Sequence, residues 1–96
     1  MFSLSDKVAM VTGASQGIGR VIARVLSEAG AHVVCVARTE EKIKSLADEI
    51  NGRGGSASNL PCDISNGDAF SDSINTTVKQ HGRLDILINN AGITRD

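Results

Sequence analysis

The sequence predicts an α/β fold: the N-terminal portion of a doubly wound parallel sheet, with elements in the order β-α-β-α-β-α-β and strands arranged 3-2-1-4. Three observations predict it. The runs Val8-Ala9-Met10-Val11 and Val33-Val34-Cys35-Val36 are apolar without alternation, as in strands buried on both faces. Apolar residues at helical spacing separate the strand-like runs. Loops rich in glycine or asparagine follow the first and fourth strands, where such a sheet places its ligands.

The first strand ends at Thr12-Gly13. Ile18, Val21, Ile22, Val25, Leu26 and Ala29 then recur at helical spacing, and Gly30 stands where a helix C-cap belongs. After the second strand, Ile43, Leu46, Ala47 and Ile50 mark an amphipathic helix that begins at Thr39 and closes near Gly52. The stretch Asn51-Gly52-Arg53-Gly54-Gly55-Ser56 reads as a turn, and a short third strand covers residues 58–62. Ser65-Asn66-Gly67-Asp68 resembles a capping box with Asp in place of Glu. The helix that it opens carries Phe70, Ile74, Thr77 and Val78 on one face and ends at Gly82. Residues 84–88 form the fourth strand, and Asn89-Asn90-Ala91-Gly92 is its exit loop. Strand–helix alternation of this kind requires parallel pairing through right-handed crossovers.

Composition removes several function classes. Ten Lys and Arg against eleven Asp and Glu leave a net charge of −1, with no broad electrostatic footprint for nucleic acid or an anionic membrane surface. Trp and Tyr are absent, so there is no base-stacking platform. No apolar run approaches the ~18 residues of a membrane span, and residues 1–7 do not read as a secretion signal. Cys35 and Cys62 are too few for a disulfide scaffold and lack metal-ligand spacing, which fits a reducing, cytoplasmic setting. His32 and His81 read as structural residues.

The loop Thr12-Gly13-Ala14-Ser15-Gln16-Gly17-Ile18-Gly19 carries three glycines in eight residues between a buried strand and a helix. Glycines there admit positive φ and close approach of the backbone to a ligand. The helix start presents free N–H groups and a positive dipole end to a phosphate, and Ser15 adds a hydroxyl. The spacing is neither G-x-G-x-x-G, since Ile22 holds the last place, nor Walker A. It is T-G-x-x-x-G-x-G, and in this the sequence resembles the short-chain dehydrogenase/reductase family. The resemblance implies a Rossmann fold and a nicotinamide dinucleotide as ligand, held by residues 13–19: Gly13, Ala14, Ser15, Gln16, Gly17, Ile18 and Gly19.

At the end of the second strand, where NAD-preferring folds carry Asp or Glu, stands Ala37, followed by Arg38. No carboxylate repels a 2′-phosphate, and the Arg38 guanidinium can receive one, so NADP is favoured over NAD; as a bare residue Arg38 also reads as a solvated loop side chain. Gln16 departs from the Arg or Lys that NADP-using members often place before the second glycine. Glu40 and Glu41 belong to the first turn of the second helix rather than to a ribose. Asp63 and Ile64 fall where the family binds adenine, although an Asp here equally reads as a turn residue bonding its own backbone. Asn90, Ala91 and Gly92 match the family's second signature. Two amides at the end of a buried strand can cross-link its neighbours and hold the loop near the cofactor. Residues 89–96 look most like the 3-oxoacyl-acyl-carrier-protein reductases of fatty-acid synthesis.

The family's proton donor is a Tyr, aided by Lys and Ser, all beyond the Asn-Asn-Ala-Gly loop. None of these 96 residues is Tyr. The resemblance therefore implies that residues 1–96 are an incomplete dinucleotide-binding portion of a protein of roughly 250 residues. No catalytic residue is assigned within it, and it should not turn over substrate alone. An acyl-carrier-protein thioester would be a partner only if the catalytic half were supplied. Two other readings stand: a non-catalytic nucleotide-binding or assembly module, and a truncated frame with little stable structure. The open edge of the fourth strand leads us to expect self-association there.

Overall fold

The computed structural model of the chain describes residues 3–90. Seven elements run in order: β1 (Val8–Thr12), α1 (Gly17–Glu28), β2 (His32–Ala37), α2 (Glu40–Gly52), β3 (Ser56–Pro61), α3 (Gly67–His81) and β4 (Ile86–Asn89). The strands form one sheet in the order β3-β2-β1-β4, with every pair parallel. The predicted topology is the observed one.

Successive strand residues point to opposite faces, so each buried run feeds two cores. Ala9 and Val11 of β1 and Val33 and Cys35 of β2 face α1 and α2, packing with Ala23, Ile43, Leu46, Ala47 and Ile50. Val8, Met10, Val34 and Val36 face α3 and pack with Leu60, Phe70, Ile74 and Leu84. This two-sided burial is why neither run alternates in sequence. Cys35 is fully buried, and desolvation pushes its thiol up to about 12, which leaves it an inert core residue.

Two helices dock by different means. Arg24 of α1 grips Glu49 of α2 through Nε at 2.6 Å and Nη2 at 3.1 Å, while Arg20 reaches the same carboxylate at 3.6 Å. Helix α3 begins at Asn66, whose Oδ1 accepts from Ala69 N–H at 3.1 Å. The cap thus lies one residue later than the expected box, because Ser65 instead donates to Asp63. Strand β4 is held at its entrance by Asp85, whose Oδ2 accepts from Val8 N–H at 2.8 Å and whose N–H donates to Val8 O at 2.9 Å.

Element bounds differ from expectation where tertiary pairing decides them. β3 starts two residues early, because Ser56 pairs with His32 at the foot of β2. β4 starts two residues late, since Leu84 is spent on the α3-side core. Gly30 lies just past the Ala29 cap, with φ +107°. The larger difference concerns the helical faces. Helical spacing groups Ile18, Val21 and Val25 with Ile22 and Leu26, yet the first three are 58%, 53% and 56% exposed. Val78 of α3 is likewise exposed, whereas Thr77 beside it is buried.

His32 is held by both ring nitrogens, to Ser56 Oγ at 2.6 Å and Ser58 Oγ at 3.1 Å, and the His81 ring lies against it at a centroid distance of 4.4 Å. Burial, then the neighbouring His81, lowers the His32 pKa below its ordinary 6.5. The unfolded chain therefore binds more protons than the folded one just below pH 6.5. Stability contributed by neutral His32 is fully present above that value and is lost as pH falls through the lowered folded pKa. The urea midpoint should drop between pH 7.5 and pH 5.5, and His32→Gln should flatten that drop.

Candidate functional site

The loop joining β1 to α1 lies at the carboxyl end of the sheet and makes two left-handed turns. Gly13 has φ +63° and Gly17 φ +61°, conformations that side chains other than glycine adopt only with strain. Between them, Ala14 N–H donates to Val36 O at 3.2 Å, tying the loop across to β2. The third glycine has a different cause. A Cβ on Gly19 would stand 2.2 Å from Gly13 O and 2.7 Å from Asn90 Nδ2, so only glycine lets α1 come down onto the loop.

Thr12 and Asn90 lock this closure from below. The buried Thr12 hydroxyl donates to Asn89 Oδ1 at 3.0 Å and accepts from Asn90 N–H at 2.9 Å. Asn90, also buried, points Nδ2 at Gly13 O, 3.4 Å away. The Asn-Asn pair thus ties the exit of β4 to the glycine loop, which is the cross-linking expected of these amides. Both loops meet at the carboxyl ends of the neighbouring strands β1 and β4.

Among the described residues, no side chain caps the start of α1. Gln16 occupies the N-cap without a side-chain bond to the helix, and the first turn holds no acidic residue. The leading N–H groups of a helix lack intrahelical partners. Nothing lies within 4 Å of the place where a Gly17 side chain would project. Ser15 is 5% exposed, and its hydroxyl hydrogen-bonds no other described residue. An orphaned buried hydroxyl beside bare helix donors fits an anionic group such as a dinucleotide's diphosphate. Ala14 differs from its neighbours: it is fully buried and its N–H is spent on Val36, so it shapes the loop and has no donor left for a ligand.

Beyond this cradle, Arg38 is exposed at the end of β2 and hydrogen-bonds none of the described residues. Asp63 stands at the exit of β3, near enough for Arg38 to be felt. Its carboxyl is held below the ordinary carboxylate range first by Ser65, whose hydroxyl and N–H both donate to Oδ1, at 2.6 and 3.0 Å. The turn reading of Asp63 is therefore realised. Ile64 packs its side chain toward the α3-side core. Glu40 and Glu41 sit exposed in the first turn of α2, as expected. Ala91 and Gly92 lie outside the described residues. Among the described residues, no cluster of three or more His, Cys, Asp or Glu could hold a metal, and no helix is long and apolar enough to cross a membrane.

A glycine loop of this form, closed by an Asn-Asn amide at the carboxyl end of a parallel sheet, defines a nucleotide-binding α/β protein. The short chain dehydrogenase family model matches residues 7–96, and the chain belongs to that family, as an N-terminal part of its fold. Fatty acyl-CoA reductase of Acinetobacter baylyi is 42% identical over 90 residues, covering 94% of this chain and 30% of that protein. A 3-oxoacyl-acyl-carrier-protein reductase of Staphylococcus epidermidis is 41% identical over 92 residues, covering 95% and 38%. Among solved structures, a metagenomic short-chain oxidoreductase in complex with NADP superposes with a TM-score of 0.84 at 46% identity, covering 88% of this chain and 38% of that one. The chain spans only about a third of the length of the curated relatives that it matches.

Gly19→Ala should force α1 off the loop, since the colliding atom is backbone. A cost of about 1–3 kcal/mol would lower the melting midpoint by roughly 5–20 °C. Gly67→Ala, with open space around it and no positive φ, should melt within a few degrees of the parent or above it.

Proposed function

We propose that this chain is the NADP(H)-binding part of a short-chain reductase. The observation that carries the reading is the closure of Gly13, Gly17 and Gly19 over the end of β1, which leaves the α1 donors and the Ser15 hydroxyl open. In this reading the α1 N-terminus and Ser15 hold the diphosphate. Gly13 and Gly17 keep the backbone low enough for it to approach, and Asn90 fixes the loop. Arg38 takes the 2′-phosphate, a role that its exposure and its lack of hydrogen bonds to described residues support. Asp63 offers Oδ2 to the adenine amine while Ser65 occupies Oδ1, and the Ile64 N–H assists. Ile18 walls the same end of the helix, and Ala91 and Gly92 continue the Asn90 loop toward the nicotinamide.

NADPH, when bound, supplies the hydride. The residues of this chain orient and hold the cofactor and move no proton: none is Tyr, and no catalytic role falls to any of them. Reduction of a 3-oxoacyl thioester on acyl-carrier protein to the 3-hydroxyacyl form is the reaction that we assign to a protein completed by a catalytic half. The likeness to the Staphylococcus epidermidis reductase supports this substrate. A cytoplasmic setting suits the two free thiols, Cys35 and Cys62.

Calorimetric titration of the 96-residue chain should give saturable NADP binding, tighter than NAD. Arg38→Ala should weaken NADP by about tenfold or more and leave NAD nearly unchanged, since it removes a charged hydrogen bond to the extra phosphate. Equal affinities before and after substitution would remove Arg38 from the site. The chain alone should oxidise no NADPH when offered a 3-oxoacyl thioester.

A further inference from the structure

Strand β3 is an outer strand of the described sheet, and its free edge can be read residue by residue. Successive residues of a parallel strand turn their N–H and C=O groups alternately to the two sides. Cys62 N–H donates to Ala37 O of β2 at 2.9 Å, so Ser56, Ser58 and Leu60 turn these groups to β2. Ala57, Asn59 and Pro61 turn theirs outward. Pro61 has no N–H to offer. Ala57 is already engaged: Asn51 Oδ1 accepts from its N–H at 2.8 Å, and Asn51 Nδ2 donates to its carbonyl at 3.0 Å. Of the three outward residues, only Asn59 keeps a backbone N–H and C=O without a partner among the described residues.

Position and chemistry both suit Asn51 to this contact. It lies in the last turn of α2, and the turn that follows is tight enough to bring Ala57 opposite it. Gly55 N–H donates to Ile50 O at 3.0 Å, and a Cβ on Gly55 would stand 2.8 Å from Ile50 Cγ2. An asparagine amide carries a donor beside an acceptor, as a peptide unit does. Asp lacks the donor, and Ala lacks both. The Asn51 side chain therefore stands where the peptide of a neighbouring strand would stand. Charge, a common means of blunting an edge, is missing from this strand: residues 56–61 hold no Asp, Glu, Lys or Arg.

We propose that Asn51 guards the edge of β3: its amide occupies the strand-addition site there and keeps this edge from pairing with the β3 edge of a second copy of the chain. The excluded occupant follows from the register. Two β3 strands related by a two-fold axis at Asn59 run antiparallel, with each Ala57 opposite a Pro61. Residues in a hydrogen-bonded antiparallel pair exchange two bonds, so the three pairs offer six. Pro61 cannot donate, which leaves four: two between the Asn59 residues and one from each Ala57 N–H. With Asn51 holding the Ala57 N–H, only the two at Asn59 remain. No like charges oppose the pairing, so the Asn51 amide and the Pro61 ring are what limit it.

The test reads pairing at this edge directly. Asn59→Cys puts a thiol at the two-fold, where opposed Cα atoms of a hydrogen-bonded pair stand about 5.5 Å apart, within disulfide reach. Cys62→Ser removes the other partly exposed thiol. The 96-residue chain with these two changes is the parent; it is incubated with oxidised glutathione, and cross-linked dimer is measured by non-reducing electrophoresis and mass. Adding Asn51→Ala should raise the dimer yield at least about fivefold, and adding Pro61→Val to that chain should raise it further, since four bonds become six. Asn51→Asp separates guarding from stability. It keeps an acceptor for the Ala57 N–H, the one Ala57 group that the pairing with Pro61 uses, but sets a carboxylate against the Ala57 carbonyl. Its dimer yield should stay within about twofold of the parent, although its melting midpoint should fall below that of Asn51→Ala. Yields indifferent to residue 51, or raised by Asn51→Asp as much as by Asn51→Ala, overturn the proposal. Should Asn51→Ala fail to fold, amide exchange in the unsubstituted chain decides: Ala57 N–H should exchange at least about tenfold more slowly than Asn59 N–H, and equal rates overturn the proposal.

Discussion

The approach of Gly19 to Gly13 is the constraint on which the rest of the structure turns. With no side chain at residue 19, the first turn of α1 settles against the Gly13 carbonyl and the Asn90 amide. That contact sets the height of α1 above the sheet and aims its N-terminus across the end of β1. It also brings β4 into play, since Asn90 reaches Gly13 only because β4 pairs beside β1. The Thr12 hydroxyl completes the joint by bonding Asn89 and Asn90 together. A backbone collision cannot relax as a flexible side chain does, so this joint tolerates little adjustment.

From that joint the binding end and the packing end of the domain follow different rules. At the carboxyl ends of the strands, donors have no partner among the described residues: the start of α1, the Ser15 hydroxyl and the Arg38 guanidinium. At the opposite ends, polar groups are consumed internally. His32 is held by two serines, Asp85 by the Val8 amide and the Arg83 guanidinium, and Glu49 by Arg20 and Arg24 of α1. Polar groups satisfied within the fold stabilise it, and those left open are where a ligand is met. The two sides of the sheet also differ among the described residues: the large apolar residues of α2 are buried, whereas α1, α3 and β4 carry the exposed ones, Ile18, Val21, Val25, Val78 and Leu87.

Much of this was legible in the residues. The continuous runs of β1 and β2, the apolar spacing of α2 and the two loop motifs suffice for the strand order and for the place of the site. The place of Glu40 and Glu41 in the first turn of α2 was legible as well. The helical faces were not legible in the same way. Ile18, Val21 and Val25 share the spacing of Ile22 and Leu26, and period alone cannot tell a flank that meets the sheet from one that meets nothing. The cap of α3 moved to Asn66 because Ser65 has a competing partner in Asp63, two residues away, and local propensity did not arbitrate between them.

By itself the sequence determined the alternation of elements, the parallel sheet and the loops that bear the chemistry. These follow from local periodicity and from glycines whose backbone conformations no other residue adopts freely. Only the tertiary structure decided that Gly19 is required by a collision with Gly13 and Asn90 rather than by its own φ. It also decided that the N–H of Ala14 is turned to β2, that Asp63 shares one oxygen with Ser65, and that half of the apolar stripe of α1 is bare. Each of these depends on which distant backbone stands within a few ångströms, a quantity set by sheet order and helix height and not by neighbours in the chain.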